Sequence, residues 1–212
     1  MLDVVVLFNG YSKRLSHNRT EANCTCTLIK GPKIIIVDTM TAWDRERLVE
    51  ALERHNVQPR NIDYVVCTHG HADHIGNNNL FLNAEHIVGY NVHQGTIFYE
   101  KQLQDEDYQL CNGVSITATP GHTYEDVTVL VEAGTGRESV KYAITGDLFE
   151  KEEDVADPSL WKEVGTFALR KIQTSSRLRI MKYADYIIPG HGPMFRTNDA
   201  LIRLLENQTD GE

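Results

Sequence analysis

Thr68-His69-Gly70-His71-Ala72-Asp73-His74 packs three imidazoles and a carboxylate into six residues, His69 to His74. The segment follows directly on Asp63–Thr68, an apolar run that reads as a buried strand with His69 at its C-terminal end. Neutral imidazole nitrogen and carboxylate oxygen are natural ligands for zinc. A strand end that turns into a helix splays such neighbours toward two centres, one pair for each ion. Two ions need more ligands than one segment supplies, so other parts of the chain must converge on this strand end.

Three further segments supply them: Thr119-Pro120-Gly121-His122, Thr145-Gly146-Asp147 and Pro189-Gly190-His191-Gly192. Each candidate sits beside small or turn-forming residues, and glycine lets the backbone approach a crowded site. The set is His69, His71, Asp73, His74, His122, Asp147 and His191, with Asp73 also placed among the catalytic residues. Five histidines and two aspartates suit two Zn2+ ions and a bridging water. Iron or manganese would also be accommodated, because selectivity follows geometry and metal supply. Two ions about 3.5–4 Å apart acidify a shared water, and the zinc-bound hydroxide attacks an electrophilic carbon or phosphorus. The developing oxyanion is held by the same charges. A purely structural zinc would favour a closed, cysteine-rich shell, and this set contains no cysteine.

The pattern of elements is strands, helix, strands, helix, strand, helix. Strands are expected over Val4–Asn9, Thr27–Lys30, Ile34–Asp38, Asp63–Thr68, Glu85–Tyr90, Val114–Thr119, Asp126–Glu132, Ser139–Gly146 and Tyr186–Ile188. Helices are expected over Thr41–Asn56, capped by Thr41 or Asp44, over Pro158–Tyr183 with a break near Gly165, and over Thr197–Gln208. Gly31-Pro32 and Gly134-Thr135-Gly136 read as turns. His69, His122, Asp147 and His191 each follow a strand, and loops held by a rigid sheet are where sites are built.

The 212 residues fit one domain with a sizeable core. No apolar stretch reaches the roughly 18 residues of a membrane helix, and Met1–Gly10 lacks the basic start of a signal peptide. The expected setting is therefore cytosolic or nuclear, away from membranes. Cys24, Cys26, Cys67 and Cys111 form no disulfide framework, in keeping with that setting. Cys24 and Cys26 are read as packed thiols, with metal binding by the CxC as the alternative. The net charge of −9 opposes broad nucleic-acid affinity, and no DNA partner is expected.

These residues, in this order, resemble the metallo-β-lactamase superfamily over nearly the whole chain. The resemblance implies an α/β fold, an αββα sandwich of two mixed β-sheets flanked by helices, as a single domain over residues 1–212. It implies His69, His71 and His122 for the first zinc, Asp73, His74 and His191 for the second, and Asp147 bridging both. Aspartate at the bridging position departs from the class B1 antibiotic-hydrolysing enzymes, which place cysteine near that role. It matches glyoxalase II-like thioesterases and RNA-processing nucleases. His74-Ile75-Gly76-Asn77, Ala118–His122, Asp126–Val129, Gly146–Glu150 and Ala184–Pro193 resemble an animal branch of the superfamily. That likeness implies a homodimeric zinc endoribonuclease acting on histone pre-mRNA 3′ ends in cytosol and nucleus. Asp147 and His191 are 44 residues apart, too close for the β-CASP domain that larger RNA-cleaving relatives insert there.

The leading functional expectation is hydrolysis of an RNA phosphodiester. The alternatives are a glyoxalase II-like ester or thioester hydrolase, disfavoured by the lack of an extra helical C-terminal region, and a non-catalytic metal-binding module, disfavoured by the complete ligand set. Asp38 is expected either to orient a ligand imidazole or to cap a helix, and Thr68 and Thr145 to hydrogen-bond ligands. His86, His93 and Tyr124 are candidates to protonate a leaving group, Tyr124 being best placed. His93–Asp107 reads as a lid or as a helix with an apolar face. Arg170, Lys171, Arg177, Arg179 and Lys182 read as a solvated face of a helix, with RNA binding as the alternative.

Overall fold

The computed structural model describes residues 2–134 and 136–210, without the side chains of Arg137 and Asp210. The strands are β1 (Asp3–Phe8), β2 (Tyr11–Ser16), β3 (Arg19–Asn23), β4 (Cys26–Lys30), β5 (Ile35–Val37), β6 (Tyr64–Cys67), β7 (Glu85–Val88), β8 (Asn91–Gln94), β9 (Ile97–Tyr99), β10 (Tyr108–Cys111), β11 (Val114–Ala118), β12 (Val127–Ala133), β13 (Val140–Gly146), β14 (Tyr186–Pro189) and β15 (Phe195–Arg196). The helices are α1 (Arg45–Arg54), α2 (Ser159–Lys162), α3 (Arg170–Tyr183) and α4 (Asp199–Asp210). One sheet runs β1-β4-β5-β6-β7-β8-β9, a second β10-β11-β12-β13-β14-β15, and β2-β3 forms a separate ribbon. Both large sheets are mixed: β5-β6, β6-β7 and β13-β14 are parallel, the other pairs antiparallel.

The layers follow from side-chain alternation. On β12, Val127, Val129 and Val131 enter the core between the sheets, while Leu130 enters the layer under α3 and α4. On β4, Ile29 faces the core between the sheets and Leu28 faces α1. Helix α1 covers the first sheet with Leu48 and Leu52; α3 and α4 cover the second with Ile180, Met181 and Leu205. The result is the αββα sandwich.

Several local expectations are corrected. The first helix is shorter than Thr41–Asn56. Ala42–Asp44 form a 3-10 turn, and Asn56 at φ 57° ends the helix in the left-handed region. Thr41 and Asp44 hydrogen-bond each other instead of capping a helix N–H. The break near Gly165 does occur: Gly165 N bonds Trp161 O, and Thr166 then turns to bond His122 O. His93–Asp107 is not a helix; its first part forms the β8-β9 hairpin at the edge of the first sheet. Of the turn at Gly134–Gly136, Thr135 lies outside the described residues.

The basic stretch of α3 is a solvated face only in part: Lys171, Arg179 and Lys182 are exposed, whereas Arg177 is not. Arg177 is fully buried, paired with Asp154 and donating to Leu148 O (2.7 Å). Arg179 donates to Thr117 Oγ1 and Ala118 O, Arg170 to Lys162 O, and Lys182 pairs with Glu206 (2.6 Å). Helical spacing puts Lys171, Arg179 and Lys182 on one, exposed side and turns Arg170 and Arg177 toward another. Among the described residues no helix is long and apolar enough to cross a membrane.

Candidate metal centre

The parallel ladders bring the ligand segments to one end of the sandwich. His69–His74 follow β6, Asp147 follows β13 and His191 follows β14. β11 runs in the same direction as β13, because β12 lies antiparallel to both, so His122 emerges at the same end. All seven residues anticipated as ligands meet there.

They fall into two sets. His69 Nε2 and His122 Nε2 lie 2.9 and 3.1 Å from His71 Nδ1. Asp147 Oδ2 is 3.6 Å from His69 Nε2 and 3.4 Å from His122 Nε2. In the second set, the ligand atoms of Asp73, His74 and His191 lie within 4.8 Å of one another. Asp147 reaches this set too, with Oδ1 3.3 Å from His74 Nε2 and Oδ2 3.3 Å from His191 Nε2. Asp147 therefore spans both.

The donor atoms fit a cation in each set. Three ring nitrogens meeting at about 3 Å aim lone pairs at one another, and a single proton cannot satisfy all three. His74 Nε2 and Asp147 Oδ1 are buried, face each other and have no hydrogen-bond partner. Nitrogen and carboxylate donors without thiolate, four residues to a set, match the chemistry of catalytic zinc-type centres. The electrostatics differ between the two sets. Burial pushes the His69 and His122 imidazoles down, toward the neutral form a metal needs. Burial also opposes charge on His74 and His191, but there the Asp147 carboxylate prevails: His74 is held well above the usual imidazole range and His191 at about 9. Burial would likewise neutralise Asp147, yet His74, His191 and His69 keep its carboxyl well below the usual range. This buried carboxylate demands positive charge beside it.

The surrounding residues fix the rings. Asp38, at φ 58°, accepts Thr68 N (2.8 Å) and sets Oδ2 3.0 Å from His74 Nδ1. It is thus the orienting residue and not a helix cap. Thr68 Oγ1 lies 3.2 Å from His69 Nδ1, whereas Thr145 Oγ1 bonds backbone carbonyls and no ligand. Asn23 O meets His191 Nδ1 at 3.1 Å. Two glycines are required. A Cβ on Gly190 would lie 1.9 Å from Asp147 Oδ1, and Gly146 sits at φ 50° where a Cβ would lie 2.2 Å from Thr68 Oγ1. Cys24 packs beside Asp38 and His74, and burial first, then the Asp38 charge, push its thiol well up. It behaves as a neutral packed thiol, as does the equally buried Cys26.

Some site residues escaped the sequence reading. Glu150 is buried with its carboxylate 3.9 Å from His122 Nδ1 and 4.0 Å from His191 Nε2. Burial, then the Asp147 charge, push its carboxyl well above the usual range. Asn77 Nδ2 clamps Thr39 O and Thr41 O, both at 2.7 Å. Asp126 ties down the loop after His122 through Thr123 N and Oγ1, both at 2.6 Å. Of the proton-donor candidates, His86 on β7 bonds Phe81 O and His93 on β8 stacks on Phe98 of the edge strand β9. Tyr124, two residues past His122, is 64% exposed.

A two-sheet sandwich carrying this centre at one end defines a metal-dependent hydrolase of metallo-β-lactamase type. The superfamily profile matches residues 19–191, and the chain belongs to the metallo-beta-lactamase superfamily. It is 40% identical to the metallo-beta-lactamase domain-containing protein 1 of Xenopus laevis, over 91% of this chain and 81% of that protein. To the Homo sapiens protein of the same name it is 38% identical over 79% of this chain, covering 60% of that protein's length. A solved B. thuringiensis AiiA variant with N-decanoyl-L-homoserine bound at its active site shares the fold. Its TM-score is 0.58 at 18% identity, covering 90% of this chain and 92% of that one.

Proposed function

We propose that this hydrolase cleaves phosphodiesters of single-stranded RNA, as an endoribonuclease acting on pre-mRNA 3′ ends of the histone type. The observation that carries the reading is the β2-β3 ribbon. Lys13, Arg14 and Arg19 stand exposed on it, and the run from Val4 to Thr20 contains no acidic residue. The ribbon is rooted on the metal centre: Asn23, its last residue, meets His191 through its carbonyl, and Thr25 N bonds Gly190 O at 2.7 Å. A chain of net charge −9 thus carries a ribbon with three exposed cations against one carboxylate, Glu21 opposite Lys13, and the base of that ribbon touches the metal centre. Its net positive charge is the sign a phosphate backbone needs. Arg177 of α3, fully buried, does not provide it.

Two divalent ions, when bound, supply Lewis-acid polarisation and an acidified water. The chain supplies the rest. His69, His71 and His122 would hold one ion, Asp73, His74 and His191 the other, with Asp147 between them. Asp38, Thr68 and Asn23 keep the imidazoles aimed. Tyr124, two residues past His122, is the candidate to give a proton to a leaving oxygen. The same reading carries a homodimer working in the cytosol or nucleus. Molecular mass in solution and the location of a tagged chain test those two points.

A second reading has its own support. Thr166 donates to His122 O from both N (3.1 Å) and Oγ1 (2.7 Å), which ties the turn carrying the exposed Val164 and Phe167 to the backbone of a ligand residue. Phe167 is 77% exposed. Apolar side chains on such a turn suit the acyl part of an ester, thioester or lactone. The test is a parallel assay of the metal-loaded protein on labelled single-stranded RNA, a glutathione thioester and an N-acyl lactone. RNA cleavage alone supports the proposal. Acyl hydrolysis without RNA cleavage replaces it with the second reading. Bound metal with no turnover on any of the three would point to a non-catalytic module.

A further inference from the structure

Each imidazole of the centre turns one nitrogen away from the ligand position, and what meets that nitrogen differs from ring to ring. His69 Nδ1 has Thr68 Oγ1, His74 Nδ1 has Asp38, and His191 Nδ1 has Asn23 O. His71 is solvent-exposed. His122 is the exception: its Nδ1 is buried and has no hydrogen-bond partner. Facing it at 3.9 Å is Glu150 Oε1, which is also buried and also unpartnered.

The two orphans explain each other. If His122 Nε2 is to offer a lone pair to a cation, the neutral ring must carry its proton on Nδ1. That N–H points at an acceptor only slightly too far away for a direct bond, a gap that a small side-chain rotation or one water closes. Glu150 is firmly placed for the task. It stands three residues beyond Asp147, its own N–H bonds Asp154 Oδ2 at 2.7 Å, and Asp154 is locked by Arg177. We propose that Glu150 is the positioning residue of His122: it accepts the Nδ1 proton, fixes tautomer and ring direction, and so tightens the ion held by His69, His71 and His122. The inference rests on the reading of this cluster as a metal centre. An oxygen is available to accept whether the carboxyl is charged or neutral, so glutamine can stand in for it.

The test compares wild type with Glu150→Gln and Glu150→Leu by Zn2+ titration against a chromophoric chelator, with thermal unfolding of each metal-free protein. The expected result is two Zn2+ per chain in all three, one of them weakened about 10–100-fold in Glu150→Leu. Glu150→Gln should recover most of the loss, and metal-free Glu150→Leu should melt no lower than wild type. Unchanged affinities in Glu150→Leu would overturn the inference while leaving the metal centre intact. A fall to one ion in both variants would overturn it in favour of Glu150 as a direct ligand with Asp147 and His191. Wild type that takes up no Zn2+ would overturn both the inference and the reading beneath it.

Discussion

Asp147 is the residue on which both ligand sets close, and Gly190 is what lets it. No side chain fits between them, since a Cβ at 190 would lie 1.9 Å from Asp147 Oδ1. Gly190→Ala is therefore expected to push the carboxylate out of line. Overpacking of this kind costs about 1–3 kcal/mol of stability, and Zn2+ affinity should fall with it. Denaturant unfolding alongside metal titration checks the point; unchanged affinity would show that Asp147 does not need its position. The ligands were legible in the sequence because each stands in a local context that folding logic recognises: a histidine cluster at a strand end, or a ligand beside Pro-Gly or Gly. Asp38 was half legible, since an aspartate after a strand serves equally as a cap. Glu150 was not, because nothing local marks a carboxylate in Leu-Phe-Glu as buried; its role comes from the approach of His122.

At the level of elements, α3 shows how helical spacing misleads. Five basic residues within thirteen positions read as a charged face, yet Arg177 is the helix's buried anchor. It pairs with Asp154, bonds Leu148 O and lies 4.1 Å over the Phe149 ring. It thereby fixes the segment that follows Asp147. Arg177→Met leaves Asp154 charged, buried and short of a partner, a loss expected to cost about 3–5 kcal/mol in chemical denaturation. A change below 1 kcal/mol would mean that the pair is replaceable. The β2-β3 ribbon was invisible to periodicity for the opposite reason. Both its faces are polar and exposed, so no apolar alternation announces a strand. Its charges make it testable. Replacing Lys13, Arg14 and Arg19 together by glutamine should weaken RNA binding by at least about tenfold at low salt. The slope of log K against log salt should also become shallower. Unaltered binding would detach the ribbon from substrate recognition.

For the whole molecule, the strands were readable because β-branched apolar runs build both sheets, whereas their arrangement as an αββα sandwich was legible only through the resemblance to the metallo-β-lactamase superfamily. Short edge strands such as β9 and β15 carry too few residues to show a period. The site is where the layers meet, so metal binding and folding are linked. Ions that bind only the folded chain stabilise it by about 2.7 kcal/mol per site at a hundred times the dissociation constant. Stripping the protein with a chelator should lower its unfolding temperature, and restoring Zn2+ should recover it. An unfolding temperature indifferent to metal would mean that the cluster is not loaded. The most direct test of the central claim is the number of divalent ions per chain after metal loading and desalting, in wild type and in Asp147→Asn. Two ions in wild type and fewer in the variant are predicted, because Asp147 serves both sets. No bound ion in wild type, or two ions unaffected by the loss of the Asp147 charge, would contradict the account.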